Sequence, residues 1–172
     1  MLTELEGAIL AELHTRGHDT AFQVRRAFAT SLSLEWKGSA GSVYPAVKRL
    51  EQRGLIAATA AQGGRGTRQL SLTDSGEAAL MAWACDIKVA TSVGLDPFRL
   101  RSNLWAELSP DRRAQVFAAL RAEIAASLPA FQKSFDDTVP AEQVRVILAL
   151  QVQRDRLRTL DLWEAGELTG RP

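Results

Sequence analysis

The chain has 172 residues, 46% of them hydrophobic and 24% charged with a net charge of +1, which excludes a disordered or collagen-like chain and predicts one or two small domains. Its single cysteine, Cys85, excludes a disulfide framework and fits a reducing compartment. The sequence has neither a signal-peptide pattern nor an apolar run near the roughly 20 residues that span a bilayer, so we expect a cytoplasmic protein without a membrane partner.

A first helix is predicted from about Thr3 to Arg16. Thr3 and Glu6 have the spacing of a capping box, in which each side chain accepts a hydrogen bond from the other residue's backbone amide. Gly17 ends the helical pattern. The apolar residues that repeat at helical spacing are Leu5, Ile9, Leu10 and Leu13.

A second helix is predicted to begin after Asp19 or Thr20, either of which can cap it. Its apolar face carries Ala21, Val24, Phe28 and Leu32. Residues 33–38 are then predicted to form a turn.

The third predicted helix is the most informative. Ser39 is a candidate N-cap, Val43, Val47 and Leu50 fall on one face, and Gly54 suits a left-handed C-cap. We expect that apolar face to be buried, which leaves an outward face with hydrogen-bond donors, two cations and no carboxylate. The outward face consists of Gly41, Ser42, Tyr44, Pro45, Lys48, Arg49 and Gln52.

Pro45 allows two interpretations of this helix. Proline inside a helix removes an amide and clashes with the carbonyl four residues earlier. Either the helix begins at Ser42 and Pro45 lies in its first turn, or the helix is locally opened on its exposed side. Both interpretations give an element of about 20 Å, a length that fits the DNA major groove.

A β-hairpin is predicted after this helix. Residues 56–61 and 67–72 are short segments of strand character around the glycine-rich turn 62–66. Arg65 at the tip and Arg68 on the returning strand would form a basic wing.

The rest of the chain is predicted to be helical. A helix capped within residues 72–76 would continue to Gly94 and carry Leu80, Trp83 and Ile87 on its apolar face. Further helices are predicted after Asp96-Pro97, after Ser109-Pro110 and after Pro140, with Pro129 ending or kinking the second of these. Their apolar stripes include Leu104, Trp105, Leu148, Leu157, Leu160 and Trp163.

Charge is concentrated in one part of the chain. Residues 20–70 contain eight Lys or Arg and two Glu, a net charge of +6, so the remainder of the chain sums to −5. A local excess of this size fits a polyanion-binding surface, although a solvated basic face without a partner is the alternative.

Enzymatic chemistry finds no support. His14 and His18 have no Cys, Asp or Glu cluster at metal-ligand spacing, so we expect neither a metal nor another cofactor. The glycine-rich turn lacks the Gly-Lys-Ser/Thr ending of a phosphate-binding loop, and no nucleophile-base set is visible.

The order of elements resembles the PadR family of transcription regulators. Residues 41–50, GSVYPAVKRL, look like that family's recognition-helix signature, and residues 72–76, LTDSG, also match. The resemblance covers about 75 residues and accounts for Pro45, which is a family feature. Two departures affect details of DNA contact or wing packing: Ala21-Phe22 replace a common Gly-Tyr, and Gln69-Leu70 replace an aromatic wing residue.

The resemblance implies a mainly α protein with a winged helix-turn-helix over residues 1–80 and a C-terminal helical dimerisation domain over residues 81–172. It implies a homodimer that binds a palindromic operator in double-stranded DNA, usually as a repressor and sometimes released by a small molecule. A tryptophan lining a pocket for an aromatic effector is a further hypothesis. The expected DNA-binding residues are Lys37, Ser39, Ser42, Tyr44, Lys48, Arg49, Arg65 and Arg68. The expected dimerisation residues are Leu104, Trp105, Leu148, Leu157, Leu160 and Trp163.

A winged helix that serves as a protein-protein adaptor is the rival function, because a fold does not dictate a function. An adaptor would not need the basic outward face, and its binding to DNA would lack steep salt dependence.

Overall fold

The computed structural model describes residues 1–60, 68–92, 94 and 96–168. The chain divides into two compact units, Met1–Val93 and Gly94–Pro172. The domain boundary expected between residues 80 and 81 falls inside a helix that lies wholly within the first unit.

The first unit contains a helical core and one hairpin. Its helices begin at side-chain caps, and the capping boxes of Thr3 with Glu6 and of Thr20 with Gln23 are both formed. The elements are α1 (Glu4–Thr15), α2 (Ala21–Ala29), α3 (Leu34–Ser39), a 3₁₀ turn (Ala40–Ser42), α4 (Val43–Gln52), β1 (Ile56–Ala60), β2 (Arg68–Leu72), α5 (Asp74–Ala84) and α6 (Ile87–Ala90).

One hydrophobic core joins these helices to the hairpin. Ile9 and Leu10 of α1, Val24 of α2, and Val43 and Leu50 of α4 are completely buried in it. The apolar positions predicted for α1 and α4 therefore face the core. Leu32, predicted to share the face of Val24, instead follows the end of α2 and is exposed.

The turn predicted at residues 33–38 is wrong, because the segment contains α3. Ser33 caps this helix by accepting a hydrogen bond from the Trp36 amide. The Trp36 ring packs edge to face against Phe28, with ring centroids 5.2 Å apart. This contact with α2 supports a six-residue helix that would be marginal alone.

The predicted hairpin is present as two antiparallel strands. Ile56 pairs with Leu72 and Ala60 with Arg68, and Ile56 and Leu70 are buried in the core. The Leu70 amide also donates to the Asp19 carbonyl at 2.6 Å, which attaches β2 to the segment before α2. The predicted tip, including Arg65, lies outside the described residues.

The single helix predicted from residues 72–76 to Gly94 is divided in two. Cys85 ends α5, and Asp86 caps α6 by accepting a hydrogen bond from the Val89 amide. Leu80 is buried as expected, but Ile87, predicted to continue its apolar face, is exposed.

The second unit is helical. The helices predicted after Asp96-Pro97 and Ser109-Pro110 are present, and Asp96 and Ser109 cap them by accepting hydrogen bonds from their first turns. Pro129 was predicted to end or kink its helix. It does not end the helix, which runs on for seven further residues, and the kink stays a prediction. The helices are α7 (Pro97–Ala106), α8 (Pro110–Asp136) and α9 (Pro140–Glu164).

A chain of aromatic rings forms the core of this second unit. The ring centroids of Phe98 and Trp105 lie 4.9 Å apart, those of Trp105 and Phe117 6.1 Å, and those of Phe117 and Trp163 5.3 Å. All three pairs are edge to face, a geometry that adds to the stability from burial. Leu160 is completely buried beside them.

The observed architecture confirms the expected fold class, mainly α with a small β-hairpin in a winged helix-turn-helix arrangement. Over the ranges that the structure describes, no helix combines the length and apolar character needed to cross a membrane.

Gly76 provides a test of this packing. A Cβ at this position would lie 1.9 Å from the Leu55 carbonyl oxygen, which is fixed because it accepts a hydrogen bond from the Thr73 amide. We expect Gly76→Ala to lower the free energy of unfolding by about 3 kcal/mol. Gly38→Ala is the control, because its Cβ would meet nothing within 4 Å and alanine favours a helix by about 0.5–1 kcal/mol. Urea unfolding of both variants measures the difference, and equal midpoints would contradict the close packing.

Candidate nucleic-acid interface

The helix α4 presents one buried and one exposed face. Val43, Ala46, Val47 and Leu50 are buried, whereas Tyr44 keeps 49% of its surface exposed. Ser42, Pro45 and Lys48 are also exposed. The predicted division of this helix into a core face and an outward face is therefore correct, with Ala46 an additional core residue.

The two ends of α4 are set by local chemistry. Ser42 is the N-cap residue, so Pro45 lies in the first turn, where its missing amide would have had no partner inside the helix. At the other end Gly54 has a positive φ of 69°. The Leu55 amide donates to the Leu50 carbonyl and the Gly54 amide to the Glu51 carbonyl, which together form a Schellman motif.

Glu6 connects the start of α1 to the outward edge of α4. It is only 3% exposed, yet three donors reach its carboxylate. The Thr3 amide donates to Oε2 at 3.1 Å, Arg49 Nε to Oε1 at 3.2 Å, and Arg53 Nη1 to Oε2 at 3.1 Å. We call Glu6, Arg49 and Arg53 the Glu6 cluster.

These contacts determine the charge state of Glu6. Burial by itself would raise the pKa of this carboxyl, but hydrogen bonds from the Thr3 amide and Arg49, with the positive charge of Arg53, outweigh it. The pKa of Glu6 therefore lies below its ordinary value of 4.5. At neutral pH the carboxylate is charged and holds both arginines.

The expectation that the outward side of α4 has no carboxylate needs correction. Arg49 has about half of its side chain exposed, but its Nε atom is bound to Glu6. On β2, Arg68 pairs through both terminal nitrogens with Glu51 of α4. Hydrogen bonding to Arg68 lowers the pKa of Glu51, and the same bond raises the pKa of Arg68.

Lys37, Ser39, Ser42, Tyr44 and Lys48 lie on consecutive elements from α3 to α4. All except Ser39 are exposed, and the Ser39 hydroxyl donates to the Glu35 carbonyl at 3.0 Å. Of the other two predicted residues, Arg68 is tied to Glu51 and Arg65 is not among the described residues.

Sequence reasoning missed one part of this surface, the contact of Glu6 with α4. Glu6 was interpreted only as a helix cap, because Arg49 lies 43 residues further along the chain.

The predicted dimerisation residues fall into two groups. Trp105 and Leu160 are buried in their own unit and Trp163 packs on them, so these three form an internal core and not a free surface. Leu104 and Leu148 are exposed by 60% and 56%. Leu157 is partly buried.

The helix-turn-helix, the outward face of α4 and the hairpin define a winged-helix fold. Residues 9–82 match the model of the Transcriptional regulator PadR-like family. Over these residues the chain resembles that family of transcription regulators. A search of curated protein sequences found no match.

Solved structures resemble the chain over nearly its whole length. The Bacillus subtilis PadR in complex with operator DNA is 22% identical with a TM-score of 0.77, covering 96% of this chain and 99% of its own. The same protein in complex with p-coumaric acid is 19% identical with a TM-score of 0.72, covering 99% and 100%. A PadR-like regulator from Bacillus cereus, BC1756, is 14% identical with a TM-score of 0.68, covering 94% of each chain.

The Glu6 cluster predicts a pH-dependent contribution to stability. Glu6→Gln keeps an acceptor for the capping box but removes the charge, so we expect the free energy of unfolding at pH 7 to fall by about 1–2 kcal/mol. Since the pKa of Glu6 is lowered by folding, this contribution is present above the ordinary pKa and is lost as the pH falls through the lowered value. Urea unfolding between pH 7 and pH 3 should show the two proteins converging in acid.

Glu35→Gln is the matched control, because Glu35 is an exposed glutamate in the first turn of α3. Its difference from the unmodified protein should be smaller at pH 7. A Glu6→Gln difference that stays constant down to pH 3 would argue against a charged, paired Glu6.

Proposed function

We propose that the protein is a sequence-specific transcription regulator that inserts α4 into the major groove of a palindromic operator. The observation that carries this proposal is the exposed edge of α4, where Lys48 and a half-exposed Arg49 stand opposite a completely buried apolar face. A helix of this kind can enter the groove while its core face keeps it attached to the domain.

Arg49 is the proposed base reader. Its Nε atom donates to Glu6, which leaves the two terminal nitrogens of the guanidinium for other acceptors. A bidentate contact to guanine O6 and N7 requires two donors held in a fixed orientation. Glu6 is therefore proposed as a positioning residue that presents Arg49 to the DNA.

The remaining predicted residues are proposed to bind the DNA backbone. Lys48 and Lys37 are exposed cations, and Ser42 and Tyr44 carry hydroxyls suited to phosphate oxygens. Ser39 is also assigned to contacts with the DNA backbone, and Arg65 is assigned to the wing. Arg68 would have to exchange its pair with Glu51 for a phosphate, so its net contribution to affinity should be small.

We further propose that the protein acts as a dimer and represses transcription. Val144, Leu148 and Val152 form an exposed apolar row along α9, and Leu100 and Leu104 form another on α7. A second copy of the chain would remove these rows from water, as in a two-fold homodimer. Two α4 helices related by such an axis match the two halves of a palindrome.

Release by a small aromatic effector is also proposed. Its support is that Bacillus subtilis PadR, similar over nearly the whole chain, has been solved with p-coumaric acid and with operator DNA. An adaptor function remains the rival, and the salt dependence of DNA binding separates the two.

Selection from a random duplex pool identifies the operator, after which fluorescence anisotropy on operator and scrambled duplexes tests the assignments. Arg49→Ala should weaken operator binding by about tenfold to a hundredfold, because one base contact contributes about 1–3 kcal/mol, and should affect the scrambled duplex less.

Lys37→Ala should weaken binding to the operator and to the scrambled duplex alike, and should reduce the slope of log Kd against log salt by about one. The Glu6→Gln variant should lower the operator preference without removing any cation.

Equal losses on both duplexes from Arg49→Ala would defeat its role as base reader. DNA binding that is weak and insensitive to salt in the unmodified protein would favour the adaptor.

Sedimentation velocity tests the dimer at micromolar concentration. The unmodified protein should sediment at twice the monomer mass of 18.8 kDa. Leu148→Glu should shift it toward monomer, because a carboxylate would be buried without a partner in the proposed interface. Leu34→Glu is the control, since Leu34 is 82% exposed on α3. An unmodified protein that is monomeric throughout would remove the proposal.

A further inference from the structure

One carboxylate lies between the outward face of α4 and the returning strand of the hairpin. Glu51 follows Lys48 by three residues on α4, so the two side chains are neighbours on the helix surface. Its partner Arg68 is on β2, where it pairs with Ala60 in the last described step before the hairpin tip. A negative charge at this place opposes the binding of a polyanion.

Glu51 neutralises Arg68. The Arg68 Nη1 atom donates to Glu51 Oε2 at 3.1 Å, and the Nη2 atom donates to Oε1. An arginine binds a carboxylate or a phosphate through the same kind of paired hydrogen bonds. Glu51 therefore takes the role that a phosphate would take, although 57% of the Arg68 side chain is exposed.

The two acidic residues paired with this surface leave different parts of their arginines open. Glu6 accepts from the Nε atom of Arg49, and the two terminal nitrogens remain for other acceptors. Glu51 accepts from both terminal nitrogens of Arg68. The first arrangement presents an arginine to a ligand, whereas the second withholds one.

The position of β2 does not depend on the pair of Arg68 with Glu51. The Leu70 side chain is buried in the core, and the Leu70 amide donates to the Asp19 carbonyl at 2.6 Å. The Gln69 side chain donates to the Asp19 carboxylate at 3.4 Å. Exposed ion pairs add little to folding stability. Removing the charge of Glu51 should therefore free the Arg68 guanidinium without displacing the strand.

We propose that Glu51 limits the electrostatic affinity of the protein for DNA by withholding Arg68 from phosphate. This inference rests on the proposed function, which assigns the adjacent face of α4 to DNA. Each phosphate that a protein neutralises releases counterions, so one more free cation on the hairpin would raise the affinity for any duplex. With Arg68 withheld, a larger share of the operator affinity comes from the base contact proposed for Arg49.

Fluorescence anisotropy of the full chain on operator and scrambled duplexes at several salt concentrations tests this inference. Glu51→Gln should tighten binding to the scrambled duplex at least about threefold near 0.1 M salt and steepen the slope of log Kd against log salt by about one. The operator should gain to the same extent, because both duplexes present the same phosphates. The double variant Glu51→Gln with Arg68→Gln should return the affinity and the slope to those of the unmodified protein, since the added contact belongs to Arg68.

Glu35→Gln is the matched control. Glu35 is the other acidic residue of the segment 20–70, and it is exposed on α3 without an ion pair among the described residues. This variant removes the same charge without freeing an arginine, so its salt slope should change less than that of Glu51→Gln.

Weaker or unchanged DNA binding by Glu51→Gln would overturn the inference, because it would mean that the pair supports binding or does not affect it. A gain that persists in the double variant would also overturn it, since the gain would then come from the lost negative charge alone. Thermal unfolding should give the same midpoint for Glu51→Gln as for the unmodified protein.

Elution from heparin-agarose measures the freed arginine without DNA. Glu51→Gln should elute at higher salt than the unmodified protein, and equal elution would count against the inference. Operator preference with steep salt dependence in the unmodified protein supports the proposed function whatever Glu51→Gln does. A heparin shift in a protein that binds neither duplex would remove the DNA-binding function and with it the role of Glu51 in DNA affinity.

Discussion

The burial of Glu6 against two arginines of α4 is the polar contact that constrains the position of α4 in the first unit. A carboxylate removed from water costs several kcal/mol unless it is paired and hydrogen-bonded. Glu6 meets this requirement only while α4 lies in one position against the first turn of α1, since Arg49 and Arg53 belong to α4 and Thr3 caps α1. The core fixes which face of α4 is buried, and the Glu6 cluster fixes the direction of its arginines.

This arrangement changes how the basic segment should be understood. The net charge of +6 over residues 20–70 is a sum that does not distinguish paired cations from unpaired ones, whereas the structure does. Arg49, Arg53 and Arg68 are committed to Glu6 or Glu51 and therefore have defined orientations. Lys37 and Lys48 are exposed without an ion pair among the described residues, and they suit phosphates, for which orientation matters less.

The parts of the fold that follow from local chemistry could be predicted from the sequence. The boxes at Thr3 and Thr20 involve residues three apart, and the Schellman end at Gly54 needs only a glycine with positive φ. What could not be predicted depends on distant contacts. Helix α3 relies on Trp36 packing against Phe28, and the pairing of Arg49 with Glu6 spans 43 residues.

The C-terminal helices show the same limit for apolar residues. Helical spacing identifies a stripe, but it does not tell whether the stripe is covered by the same chain or left for another. In α9 both cases occur: Leu150 and Leu160 are buried within the unit, whereas Val144, Leu148 and Val152 are exposed on another face. A helix that is apolar on two sides has more apolar surface than its own unit can cover. The exposed row is therefore a physical reason to expect a second copy of the chain. Sequence periodicity alone could not distinguish the residues of this row from the residues of the core.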